Sequence, residues 1–384
     1  MTELKFPPHV DEITSFLAVE VFQAAQVLEA KGRDVVHLEF GEPDFPTPEV
    51  VCAAATEALK AGKTRYTHSL GITPLRETIC GYHNAKYGLA IEPDQVLVSG
   101  GTSILAFLLM TLLLEPGDEV LLTDPSYACY ANFIRLARGV PVMVPIHERD
   151  GFQLDPARVK AAITPRTKAL LICSPANPTG VVMRPEVMAD LAGLGVPIIS
   201  DEIYHGLVYG GEARSILEFT DRAFVLNGYS KYFAMTGWRL GYMIFPRHLM
   251  APVMKMHQNV MISATEFSQH AAIAAMTEAL PVCEGYVREY DRRRVYMIER
   301  LAKIGLDLKY EPAGAFYVFA DARRYGDDSL KLAMEILNEA GVALTPGADF
   351  GPNGEGYLRF SYANSMENIS TALDRLEPFL AKRG

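Results

Sequence analysis

From Gln95 onward the chain repeats one pattern, in which short apolar runs alternate with helical stretches. QVLVSGG leads into TSILAFLLMTLLL, and DEVLLTDPSYACYANFIRLA, VPVMVPI, TKALLICSPANPTG, VPIISDEIY, AFVLNGYSK and LGYMIF follow. Strands that are apolar along their whole length cannot leave a face in water. The pattern therefore predicts an α/β fold, a mostly parallel sheet covered by helices on both faces. Open sheets of this kind bind ligands just beyond the carboxyl ends of their strands, and that is where the polar residues of these runs fall.

Composition narrows the function. With 384 residues, 49% of them hydrophobic, the chain can bury a large core and build more than one domain. A net charge of -10 without a run of Lys or Arg disfavours nucleic-acid binding. The longest apolar run, Ile104 to Leu114, is interrupted by Thr111 and is too short for a bilayer, so it reads as a buried helix and no membrane partner is expected. MTELKFPPHVDEITSF lacks a basic region followed by an apolar stretch, so no secretory signal is expected. Five scattered cysteines, Cys52, Cys80, Cys129, Cys173 and Cys283, have neither metal-ligand spacing nor a paired framework. A cytoplasmic protein with reduced thiols and no metal follows. Neither a Walker loop nor a dinucleotide fingerprint is present.

The chemistry concentrates in NGYSKYFAMTGWRLGY, residues 227 to 242. Lys231 sits there among small and aromatic residues, and Arg239 follows eight positions later. A lysine can form a Schiff base with an aldehyde, and a guanidinium grips a phosphate bidentately, so the pair suits pyridoxal 5'-phosphate. The ordinary reading, a solvated surface lysine, fits poorly with Tyr, Phe, Met and Trp as neighbours. Upstream, Gly100, Gly101 and Thr102 stand where a strand turns into a helix, an arrangement whose amide groups bind anions. Gly41, in GEPDFPTP after a short strand, leaves its backbone open to a ligand.

The lysine segment resembles that of the class I/II aminotransferases, fold-type I enzymes, and the resemblance runs over nearly the whole chain. It implies a large cofactor-binding domain at 46–280 and a smaller α+β domain from both chain ends, 1–45 and 281–384. It also implies that Lys231 is the catalytic amine, that Asp201 faces the ring nitrogen, and that Asn177 and Tyr204 share the ring hydroxyl. Tyr127 stacks on the ring, and Arg239 with Gly100, Gly101 and Thr102 anchors the phosphate. A helix N-cap is the structural alternative for Asp201. The Gly41 loop lies over the substrate, and Arg359, in GYLRFSYA, pairs with the α-carboxylate of an amino acid alongside Asn177. The chain is then a homodimer in which Tyr66 reaches the partner's phosphate. One position departs from the family: Gly228 stands where many relatives carry a serine, leaving Ser230 to supply the hydroxyl.

The activity implied is amino-group transfer between an L-amino acid and a 2-oxo acid by a ping-pong mechanism. No Lys stands in the Gly100-Gly101 turn and no Arg or Lys in NVMISATEF, which favours neutral or aromatic amino acids over aspartate, with Arg65, His68 or an N-terminal residue as alternative cations. A C-S lyase of the same fold and a non-catalytic regulator that binds the cofactor are the rival readings. Beyond the core pattern, two long helical segments are expected between Leu249 and Arg300. The DRRR run within them is expected to be a salt-bridged, solvated face.

Overall fold

The computed structural model describes residues 7–383; residues 1–6, part of the segment expected in the smaller domain, and residue 384 lie outside the described residues. Chain order runs β1 (Val36–His37), β2 (Val96–Ser99), β3 (Glu119–Asp124), β4 (Val140–Pro145), β5 (Thr167–Cys173) and β6 (Ile198–Asp201). It continues with β7 (Ala223–Gly228), β8 (Gly241–Ile244), β9 (Tyr317–Asp321), β10 (Val342–Ala343), β11 (Thr345–Pro346) and β12 (Tyr357–Ser361).

Seven of these strands form one sheet in the order β2-β8-β7-β6-β5-β3-β4. Only β8 runs against the rest, pairing antiparallel with both β2 and β7. The other six therefore end on the same edge. Their side chains alternate into two cores, as the two-residue period of a strand requires. Val98, Leu170, Ile172, Ile198, Val225 and Ile244 enter one core, while Leu97, Leu171, Ile199, Leu226 and Met243 enter the other. Helix Thr102–Leu113 closes the second face with Leu105, Leu109 and Met110. A strand apolar on both faces has no alternative to this sandwich, which is why the repeat was so informative.

The chain ends make the rest. Strands β11, β12 and β9 form a three-stranded antiparallel sheet. Strand β1 pairs parallel with β10, Val36 opposite Val342, which fastens the N-terminal segment to the C-terminal one. Helix Leu17–Glu29 packs there, burying Val21 and Ala25 beside Leu337.

Two expectations need correction. Between Leu249 and Lys303 there are three helices, Met250–Val260, Glu266–Thr277 and Leu280–Lys303, where two were expected. The first break holds Ile262 at φ 65°, a conformation that carries no sequence signal in a β-branched residue. The second is marked by Pro281 in the first helical turn, where a missing N–H costs nothing. The DRRR run is salt-bridged as expected but only partly solvated. Arg293 is buried under the Phe45 ring, 4.9 Å from its centroid, and is held by Asp44 at 2.8 Å and Glu289 at 3.0 Å. It pins the loop that follows Gly41. Among the described residues no helix is long and apolar enough to cross a membrane, and no cluster of metal ligands occurs.

Candidate active site

A cavity of about 340 Å³ opens at the strand-end edge of the large sheet. Gly41, Thr102, Tyr127, Asn177, Asp201, Tyr204, Ser230, Lys231, Arg239 and Arg359 line it, ten of the residues singled out in the sequence. They come from the exits of β1, β2, β3, β5, β6 and β7 and from β12. Gly100 and Gly101 are not among the lining residues, and Tyr66 lies elsewhere, 80% exposed on an open groove with Phe267 and Ser263. Arg65 and His68 are not among the lining residues.

Lys231 lies just past β7. Its Nζ donates to the Gly41 carbonyl at 2.7 Å and pairs with no carboxylate among the described residues. Burial lowers the amine from 10.5 to about 8; Arg359 and Arg239 push the same way, against Glu42 and Asp201. Such an amine is neutral in about a tenth of molecules at pH 7, far more than an exposed lysine, and the neutral form is the nucleophile. Gly41 is where the backbone can approach: a Cβ there would stand 1.8 Å from the Tyr317 hydroxyl.

Asp201 ends β6, and no helix follows it, so the capping alternative does not apply. Its Oδ2 accepts the Tyr130 hydroxyl at 2.6 Å, and its Oδ1 accepts the Ile203 N–H at 3.1 Å. Burial raises its pKa, while both hydrogen bonds and Lys231 lower it. A buried carboxylate with lone pairs still turned toward a cavity suits a cationic nitrogen. The next residue, Glu202, lies on the other face of the strand with Ser200. Its Oε1 accepts from Ser200 Oγ at 3.1 Å, Ser215 Oγ at 3.1 Å and Ile216 N at 3.0 Å, and burial pushes its carboxyl up to about 8.

Arg359 is 2% exposed on β12. Its Nη1 donates to Asn177 Oδ1 at 2.9 Å, and its Nη2 donates to Thr345 Oγ1 at 3.0 Å and to the Glu39 carbonyl. The guanidinium lies 4.4 Å from the Tyr317 ring centroid and 5.0 Å from that of Phe350. No carboxylate pairs with it among the described residues, and its Nε has no partner. A buried cation held only by neutral groups is costly unless an anion completes it. Tyr204 donates to or accepts from Tyr317 across 2.8 Å on the same wall.

The lysine-to-arginine segment is held in shape from outside. Ala234 and Arg239 adopt φ of 51° and 50°, a left-handed conformation that costs non-glycine residues about 1 kcal/mol or more each. Thr47 compensates by donating to the Ala234 carbonyl at 2.6 Å and accepting the Trp238 indole N–H at 3.0 Å. The strained turn carries the Arg239 guanidinium to Gly101, where a Cβ would lie 2.8 Å from Nη2. Arginine and the start of helix Thr102–Leu113 thus face one spot, a fit for a phosphate. Gly228 has a packing reason too: a Cβ there would sit 2.9 Å from Gly241 Cα, the residue opposite it on β8. Ser230 lines the cavity, as do the hydroxyls of Thr102, Ser103 and Thr236.

Aldehyde, ring nitrogen and phosphate of pyridoxal phosphate each find a counterpart here: an unpaired amine, a buried carboxylate and an anion cradle. Sequence reasoning missed Tyr130, Tyr317, Phe16, Glu42 and Thr236, all on the cavity wall. Tyr130 had a faint signal: it follows Tyr127 by three residues, in the first turn of helix Cys129–Leu136.

The family described as aminotransferase class I and II matches residues 33–376. A (5-formylfuran-3-yl)methyl phosphate transaminase of Methanocaldococcus jannaschii is 41% identical over 96% of this chain and 97% of its own length. An aspartate/prephenate aminotransferase of Thermus thermophilus is 40% identical over 95% of this chain and 96% of its own. The solved structure of aspartate aminotransferase from Thermus thermophilus with maleate superposes with a TM-score of 0.93 at 38% identity, covering 98% of this chain and 100% of that one.

Proposed function

The chain belongs to the class I and II aminotransferases, transaminases of fold type I that depend on pyridoxal 5'-phosphate, and from that premise we propose that it transfers the amino group of a neutral or aromatic L-amino acid to a 2-oxo acid. The observation that carries this reading is the buried, carboxylate-free Arg359 in the same cavity as the unpaired Lys231. Lys231, Arg239 and Arg359 are the only cations lining the cavity among the described residues. With Lys231 assigned to the cofactor aldehyde, Arg239 to phosphate and Arg359 to the α-carboxylate, none remains within one chain for a second carboxylate. Apart from Tyr127, assigned to the cofactor ring, Phe16, Phe40 and Tyr317 line the remainder, an aromatic wall suited to an apolar side chain.

In this reading Lys231, Asp201, Asn177, Tyr204, Ser230, Arg239, Thr102 and the glycine turn hold the cofactor, which supplies an electron sink for the substrate's Cα. Arg359 and Asn177 orient the α-carboxylate. Lys231, released from the Gly41 carbonyl, takes the Cα proton and returns it to the opposite end of the reacting system. Asp201, steadied by Tyr130, keeps negative charge against the ring nitrogen. Tyr204, braced by Tyr317, and Asn177 are the hydroxyl and amide placed for the ring oxygen.

Three further parts of the reading go with it. We place the domain boundaries at 45/46 and 280/281, supported by the pairing of β1 with β10 and by the helix that starts at Leu280. We assign a homodimer in which exposed Tyr66 serves the partner's site, and a cytoplasmic location supported by five free thiols. The test of substrate class is a spectral screen of the purified holoenzyme against the common L-amino acids. Aspartate outpacing phenylalanine, tyrosine and leucine would overturn the preference.

A further inference from the structure

Helix Leu17–Glu29 begins without a cap of its own, since Phe16 stands at the N-cap position and offers no side-chain acceptor. The acceptor arrives from 332 residues away: Asp349 Oδ1 takes the Leu17 N–H at 2.8 Å, and Oδ2 takes the Ala18 N–H at 3.3 Å. Asp349 is buried, and it is the neighbour of Phe350, whose ring lies under Arg359. The Phe350 carbonyl in turn accepts the Ser126 N–H at 2.8 Å, one residue before Tyr127. Phe16 closes the circuit by meeting the Tyr127 ring edge-on at 6.2 Å. Phe16 and Ala18, the residues flanking the first capped amide, both line the cavity.

We propose that Asp349 is a positioning residue for the substrate: by capping this helix it fixes Phe16 and Ala18 in the cavity wall, in register with Arg359 and Tyr127. The proposal rests on the reading of the cavity as the amino-acid site. A carboxylate on the first free amides of a helix also meets the positive end of its dipole, so the cap is favoured over an exposed chain end. Since Asp349 touches neither cofactor nor the reacting carbon in this arrangement, its removal should weaken substrate binding and spare the chemical step.

The test uses holoenzyme carrying Asp349→Ala, Asp349→Asn or Leu17→Pro. The last deletes the N–H from the helix side, proline being accepted at the first helical position. Hydrogen–deuterium exchange of peptides covering residues 16–29 reads the cap. The KM and kcat of whichever donor wild type turns over fastest among L-aspartate, L-glutamate, L-phenylalanine and L-tyrosine read the consequence. Expected are faster exchange, a KM raised about five- to tenfold in Asp349→Ala and Leu17→Pro with kcat within about twofold, and partial recovery in Asp349→Asn, which keeps one acceptor. Unchanged exchange overturns the cap. Faster exchange with unchanged KM overturns the positioning role alone. Arg359→Met run in parallel reports on the site itself: an unchanged KM there sinks the site reading and the proposal with it.

Discussion

The Tyr130 hydroxyl donates to Asp201 across 2.6 Å, and both buried residues line the cavity. The bond opposes the rise in pKa that burial imposes on Asp201. A hydrogen bond to a charged group contributes about 1.5–3 kcal/mol. Tyr130→Phe should therefore cost roughly ten- to a hundredfold in kcat/KM and loosen the cofactor. Equilibrium dialysis and steady-state kinetics read both; a variant equal to wild type in each would remove Tyr130 from the site.

Lys231→Ala should abolish turnover, a loss of at least about a thousandfold, and with it the visible absorption of the bound cofactor. In cofactor-free protein, burial lowers the amine to about 8. Acylation of Lys231 should accordingly rise with pH through about 8, well below the range of an exposed lysine. A titration near 10.5, read by peptide mass spectrometry, would mean that the amine is solvated.

Arg359→Lys keeps the charge and loses the planar fork. The KM of the amino donor should rise about a hundredfold while the protein stays coloured. Loss of colour together with activity would show instead that Arg359 holds up the cavity as a whole.

Glu202 sets a prediction for stability. Its carboxyl is raised from 4.5 to about 8 by burial. A carboxyl whose folded pKa exceeds its unfolded value stabilises the fold fully at low pH and loses that contribution as pH climbs through the folded value. Glu202→Gln keeps the neutral shape and cannot ionise. Its Tm, measured by calorimetry, should fall less than that of wild type between about pH 4.5 and 8, the unfolded and folded values of the carboxyl; parallel curves would show that Glu202 ionises at no cost.

How far the sequence reached depended on distance along the chain. The sheet was legible because each strand announces itself in a handful of consecutive residues. Lys231, Asp201, Asn177 and Arg359 were legible because each follows or occupies such a strand. Tyr130 was not, since a tyrosine inside an amphipathic helix gives no sign of the carboxylate it will meet. Nor was the cap on Leu17, whose partner lies 332 residues away. Arg293 read as a solvated charge because its neighbours at helical spacing are acidic, yet its partner Asp44 comes from the far loop and takes it out of water. Gly228 read as a missing hydroxyl, and only the approach of Gly241 gives it a packing role.

The resting place of the Lys231 amine is a main-chain oxygen, that of Gly41. Backbone atoms survive every change of amino acid, and no Cβ fits at this glycine. Redesign of the pocket for a different substrate can therefore proceed through Phe16, Phe40 or Thr236 without disturbing the dock to which the lysine returns.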